Sequence, residues 1–428
     1  MKTKVNTYCG VFALAILLFV LGGCKKENLT EPVAQSHTKN AIEDSYLYKQ
    51  GPREMMTLSA IAMRFHQGAR EELTKELLAD PNLSTGNNWD LVWYAYDEKK
   101  SAQMMVVKNK TIPNYYAIVS KGQKEDNVYS LYHGLYVFGG SKWPWVIPGS
   151  PQPTIAKGAM SLANILFNLR GDAESLGLKN VTLEELFKNI TDNWNKKDKF
   201  TVYVTGHSLG GANAVMIGTY MFQKLSAIPN IPDSKISLGI WNFAGPNLFQ
   251  EDFVNYYRNT MGRSRHIMTI ERFYLIRNDV VPNLWPMKME GLKTIFPWSG
   301  LMKIPVNLFV AGFNGILKLS GQHYMSVNTP DNISQIYLDN VTDPKLYDLP
   351  KTVNSIGAYT KYYSYNHFTD NYLRAVGAPP VPEVENGKII PSDLTPAIKS
   401  IDDSKMNYVP TEADVNKMLD DANTPPAN

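Results

Sequence analysis

The sequence predicts an α/β fold with a mostly parallel central sheet flanked by helices, and two observations carry that reading. Apolar runs of strand length, Phe200 to Thr205, Ile236 to Phe243 and Phe273 to Ile276, alternate with stretches of helical spacing, Ala156 to Leu169, Leu183 to Trp194 and Ala212 to Leu225. Strands alternating with helices argue parallel pairing through crossovers. A Gly-x-Ser-x-Gly run, Gly206 to Gly210, stands directly after one of those strands and directly before a helix. Upstream, Met55, Leu58, Ile61, Ala62 and Phe65, then Leu73, Leu77 and Leu78, keep helical spacing and predict two helices between residues 44 and 80. Three short β-rich runs follow, Leu91 to Tyr96, Met104 to Val107 and Tyr115 to Val119, separated by turn residues as in an antiparallel meander.

Composition narrows the function classes. The 428 residues are 44% hydrophobic and 19% charged, which is a folded rather than a disordered profile. Lys and Arg number 43 against 40 Asp and Glu and are scattered, so the clustered basic stripe of a nucleic-acid binder is missing. Cys9 and Cys24 are the two cysteines, too few for a disulfide framework or a Cys-based zinc site. No metal-spaced His/Glu cluster and no phosphate loop occurs, so no metal and no organic cofactor is implied.

The first residues read as an address. Lys2 and Lys4 precede an apolar run from Val11 to Val20, shorter than the roughly 18 residues a spanning helix wants. The run ends in Leu21-Gly22-Gly23-Cys24, which resembles the lipobox of bacterial lipoproteins. That resemblance implies removal of residues 1–23 and lipidation of Cys24, with acyl chains rather than charge holding the protein to a membrane. Lys25 is not the acidic residue linked to inner-membrane retention, which favours the outer membrane of a bacterial envelope. Residues 24–43 lack apolar periodicity and read as a tether, residues 44–380 as the α/β domain, and residues 381–428 as a polar C-terminal extension. Oligomeric state is left open.

The strand-to-helix setting gives the Gly-x-Ser-x-Gly run its chemistry. Ser208 sits on a turn tight enough to need Gly206 and Gly210 beside it, so its hydroxyl projects at the carboxyl edge of the sheet above a helix N-terminus. A serine hydroxyl needs an adjacent histidine as base, and that histidine needs a carboxylate to fix its tautomer. The run Gly206-His207-Ser208-Leu209-Gly210-Gly211 resembles the nucleophile elbow of the class 3 (fungal-type) lipases, a family of α/β-hydrolases. Trp241 to Asn247 followed by Phe253 is similar to a later segment of that family, and the likeness extends from about Leu91 to Leu373.

Among the acids after Ser208, Asp279 follows a buried-looking strand and opens Asp279-Val280-Val281-Pro282, which resembles the family's acid motif. Two histidines follow, His323 and His367. His367 to Leu373 is similar to the family's histidine at the start of the last helix with Tyr-Leu behind it, which makes His367 the expected base, while His323 reads as a loop or pocket-wall residue. Asp370 reads as a first-turn helix acid. For the oxyanion, the N–H of Leu209 is one expected donor by position. The resemblance implies Gln123 as the other, with Ser141 competing. Two segments are candidates for a lid or apolar wall: Ile304 to Leu317 with Phe296, Trp298 and Met302, and the loop from Trp143 to Pro153. The resemblance implies a cofactor-free serine hydrolase acting on lipid or other acyl esters. A catalytically silent surface lipoprotein, or a phospholipase or acyltransferase on the same three residues, are the alternatives.

Overall fold

The computed structural model describes residues 50–64, 71–122, 137, 139–261, 264–283, 293, 295–298, 321–327, 335–347, 349–385 and 388–390. In chain order its elements begin with α1 (Gly51–Met63), α2 (Glu71–Ala79), β1 (Trp89–Asp97), β2 (Ala102–Asn109), β3 (Tyr115–Ser120), β4 (Gly140–Lys142) and β5 (Thr154–Ala156). There follow α3 (Lys157–Asn168), β6 (Gly171–Ala173), β7 (Leu178–Val181), α4 (Leu183–Asp192), β8 (Phe200–His207), α5 (Leu209–Ser226), β9 (Ile236–Phe243), β10 (Phe249–Gln250) and α6 (Glu251–Thr260). The last are β11 (Ile267–Ile276), β12 (Tyr324–Met325), β13 (Gln335–Leu338), α7 (Ile356–His367), α8 (Thr369–Ala375), β14 (Glu383–Glu385) and β15 (Lys388–Ile390).

The main sheet runs β13-β11-β9-β8-β3-β2-β1-β6-β7. From β13 to β3 the pairing is parallel, and from β3 outward to β7 it is antiparallel. The expected meander is β1 to β3, and the crossover half supplies the site. β9 is buried along its whole length and β8 along all but Thr201. That is what a parallel strand covered on both faces requires, and it explains why these strands read as continuous apolar runs rather than alternating ones.

One face is covered by α3, α5 and α6 with the packed aromatics of the larger core, the other by α1, α2 and α8. α5 is buried almost all round, and Gly218 lets it lie close, since a β-carbon there would sit 2.4 Å from Ile240 Cδ1. α1 crosses under β8, where Thr205 Oγ1 bonds Met55 O and Ser59 Oγ at 3.2 and 2.9 Å. Pro52 starts α1, where its missing N–H costs nothing. α4 is started by a capping box of Thr182 and Glu185.

A smaller sheet, β12-β10-β5-β4, was not legible beforehand, nor were β6, β7 and β13. At the start of the expected polar extension, Val381 is buried, its carbonyl accepts from Arg64 Nη2, and β14 pairs with β15. Residues 1–49, which include Cys24 and the tether, lie outside the described residues, as do 391–428.

Candidate active site

β8 ends at His207 and α5 starts at Leu209, so Ser208 alone makes the turn. Its backbone is held at φ 59° and ψ −131°. For a residue with a side chain such a conformation costs of order 1–3 kcal/mol and persists because its surroundings hold it. The Ser208 N–H donates to Phe243 O at 2.9 Å, tying the turn to the end of β9. Neither flanking glycine tolerates a side chain: a β-carbon would lie 2.2 Å from Gly210 O at Gly206, and 2.4 Å from Ser120 O at Gly210. Leu209 opens α5, so its N–H has no intrahelical acceptor and lies beside the serine.

Three side chains from three elements converge. His367 Nε2 lies 2.9 Å from Ser208 Oγ, and its Nδ1 lies 2.8 and 3.0 Å from the two carboxylate oxygens of Asp279. A carboxylate only accepts, so Nδ1 carries the proton and Nε2 presents its lone pair to the serine hydroxyl. Asp279 is fully buried just past the end of β11. It accepts two further hydrogen bonds, from the Val281 N–H at 2.9 Å and from the Tyr372 hydroxyl at 2.7 Å. Tyr372 OH itself accepts from the Ile276 N–H at 2.9 Å, so one phenol fixes the end of β11 and the acid beyond it. Burial first, and the charge of Asp279 second, push the Tyr372 phenol well above its usual range, which keeps it a donor.

His207 packs against His367. Its buried ring stands 4.8 Å from that of His367 and 5.1 Å from Tyr372. Burial, reinforced by the neighbouring His367, holds it well below the usual imidazole range, so a neutral ring forms the floor of the site.

The expected positions fall as follows. Ser208, Asp279 and His367 come together, with Gly206, His207, Leu209 and Gly210 forming the turn around them. His323 is exposed, with its backbone engaged by β10 and the start of α6, and lies outside this group. Ser141 is in β4, paired with Ile155 in the smaller sheet. Gln123 lies outside the described residues. Gly122, just before it, abuts the turn closely enough that a β-carbon would meet His207 O at 2.6 Å. Asp370 is in the first turn of α8, ion-paired to Arg64 at 2.5 Å.

One placement differs from expectation. His367 does not start the last helix but ends α7, and α8 begins only after Phe368. Of the apolar segments, Ile304 to Leu317 and Met302 lie outside the described residues. Phe296 and Trp298 are buried, Phe296 against Tyr359 and Tyr362 and Trp298 bridged to Val353. The loop after Trp143 is anchored by Trp145 against Phe167 and Tyr220. Tyr220 lies twelve residues beyond Ser208, roughly 18 Å along α5 at ~1.5 Å per residue. Trp145 therefore packs against the part of α5 that is far from the serine. Sequence reasoning did not foresee Tyr372 or the Val281 N–H as partners of the acid. Only the Tyr-Leu behind His367 pointed toward the former.

Residues 137–289 match the sequence model of the family described as lipase (class 3), a segment that contains Ser208 and Asp279 but not His367. A comparison by sequence with curated proteins gives no match. Among solved structures the chain is similar to M37 lipase, with a TM-score of 0.54 and 18% identity over 74% of this chain and 89% of that one. Weaker likenesses include native Rhizomucor miehei lipase in its propeptide complex, TM-score 0.39 at 20% identity over 58% of this chain and 65% of that one. Another is a triacylglycerol lipase from Penicillium expansum, TM-score 0.36 at 11% identity over 57% and 75%. The first likeness makes the architecture an α/β-hydrolase-like fold, and the class 3 lipase match over residues 137–289 supports a lipase-type carboxylic ester hydrolase.

Proposed function

We propose that the protein cleaves acyl esters of lipid type through a covalent acyl-enzyme on Ser208. The observation that carries this reading is the unbroken hydrogen-bond chain from Ser208 through His367 to Asp279 at 2.9 and 2.8 Å. Ser208 Oγ attacks the ester carbonyl carbon while His367 Nε2 takes its proton, and the Asp279 carboxylate holds the imidazolium that results. The oxyanion of the tetrahedral intermediate accepts from the Leu209 N–H and from the N–H of Gln123, a contribution of about 2.7–4 kcal/mol per donor. Collapse breaks the bond to the leaving alcohol, which takes the proton from Nε2. Water activated by the same nitrogen then frees the acid and restores the serine.

The test is hydrolysis of p-nitrophenyl esters of graded chain length, with a fluorophosphonate probe mapped by mass spectrometry. The expected result is probe on Ser208 and a rate optimum at medium or long acyl chains. An optimum at acetate would replace the lipid substrate by a short-chain ester, and probe on no residue with no turnover would favour a silent binding protein.

The envelope location rests on Lys2, Lys4, the apolar run and Cys24. Cells fed labelled palmitate are expected to incorporate it into the wild-type chain and not into Cys24→Ala. Equal labelling of both would remove the lipid anchor from this reading.

A further inference from the structure

His367 and Tyr372 reach the same carboxylate oxygen of Asp279, at 2.8 and 2.7 Å, although five residues separate them. In an unbroken helix that spacing would place the two side chains about 140° apart around the axis, at 3.6 residues per turn. They converge because the helix is broken between them: Phe368 takes an extended conformation, φ −63° and ψ 145°, and α8 restarts at Thr369 in a new direction.

A helix that stops leaves its last carbonyls without partners, and these must be supplied from elsewhere. Here Ser364 O keeps the Phe368 N–H at 3.2 Å, and side chains supply the rest. Asn371, fully buried, donates from Nδ2 to Ser364 O at 2.9 Å and Tyr365 O at 3.0 Å, both in the last turn of α7. Those two carbonyls fix which way its amide points. Its Oδ1 accepts from the Thr342 hydroxyl at 2.7 Å, and Tyr347 OH lies beside both amide atoms, 2.9 Å from Nδ2 and 3.2 Å from Oδ1. Thr342 and Tyr347 belong to the segment after β13, and that segment grips α7 again through Asn340 Nδ2 to Tyr365 O and Tyr365 OH to Thr342 O. β13 pairs in parallel with β11, at whose end Asp279 stands. The acid and the support for the helix break are thus mounted on neighbouring strands of one sheet.

Resting on the reading of Ser208, His367 and Asp279 as a catalytic triad, we infer that Asn371, oriented by Thr342, is a positioning residue for the base. It holds the break after His367, and so holds His367 and Tyr372 on one carboxylate. It touches neither substrate nor the reacting atoms.

Asn371→Ala and Thr342→Val are expected to lower kcat ten- to a hundredfold with KM within about twofold, since a misplacement of an ångström at a reacting group costs on that order. The same variants should weaken the far-downfield proton resonance of the hydrogen bond between His367 and Asp279. Thr342→Ser, which keeps the hydroxyl, should restore both. Rates are taken per fluorophosphonate-titratable site, so a loss of folded protein alone does not register. Unchanged kcat and resonance per titrated site in Thr342→Val would overturn the inference, and this variant decides alone if Asn371→Ala is insoluble. Full activity in Ser208→Ala would instead overturn the triad reading on which it rests, a result that no Asn371 variant could produce.

Discussion

Ser208→Ala and His367→Ala are each expected to lower kcat by about 10⁶-fold, and the double variant to fall no further, because nucleophile and base act as one unit. Asp279→Asn is expected to cost about 10⁴-fold through the tautomer of the histidine rather than through loss of structure. In the native site the carboxylate accepts from His367 Nδ1, the Val281 N–H and the Tyr372 hydroxyl. An asparagine must turn two of its own protons toward that ring of donors. The Val281 N–H is fixed in the backbone, and Tyr372 is fixed by Ile276, so the amide protons are driven toward His367 Nδ1. The imidazole then carries its proton on Nε2 and offers the serine a donor where a base is required. Steady-state rates on a p-nitrophenyl ester, with thermal unfolding measured alongside, check this. An Asp279→Asn protein within tenfold of wild type would remove Asp279 from the triad.

Gly206→Ala is expected to destabilise the fold by more than about 3 kcal/mol, beyond the range of most substitutions. The new methyl would meet Gly210 O at 2.2 Å, Gly210 C at 2.4 Å and Ser120 O at 2.8 Å. All three are backbone atoms of β3 and of the first turn of α5, so no flexible side chain can give way. Relief would require the strand and the helix to part at the nucleophile. Gly149→Ala supplies the contrast: its φ of +85° is also unfavourable for alanine, yet nothing lies within 4 Å, and the cost there should be about 1 kcal/mol. Urea unfolding midpoints of the two variants separate steric conflict from backbone preference. Equal midpoints would mean that the elbow can relax in a way the geometry denies.

What could be read in the amino acids follows from how each element is covered. β8, β9 and α5 lie between two layers, so burial from both sides writes continuous apolar runs that announce themselves. Asp279 was legible for a related reason, as a carboxylate that opens the loop just past the buried end of β11. β5, β10 and β12 are two or three residues long, too short for any period to show. β13, at the sheet edge, is four residues long and only partly buried. α7 was hidden by its composition. Four tyrosines, a serine and two threonine or asparagine positions give weak intrinsic helix preference, so the helix depends on the Ser355 cap and on aromatic contacts with Phe296. That hidden helix is also why His367 was expected at a helix start. The three residues expected together do come together, but the break between His367 and Tyr372 is supported by Asn371 in the next helix and by Thr342 and Tyr347, 29 and 24 residues before it.

Arg64, at the end of α1, joins Asp370 and Glu383 across 306 and 319 residues, and Arg53 bonds Val376 O across 323. Among the described residues, α1 and the elements from α8 to β14 are therefore mutual neighbours, and the helix that follows His367 is moored to one more than 300 residues before it. Pairings so distant in sequence put the fold among those whose assembly is slowed by topology. The strand and helix that carry Ser208 can pair with near neighbours early. The mooring of α8 waits until the whole intervening chain has been made, so synthesis delivers Ser208 well before anything can hold His367 in place.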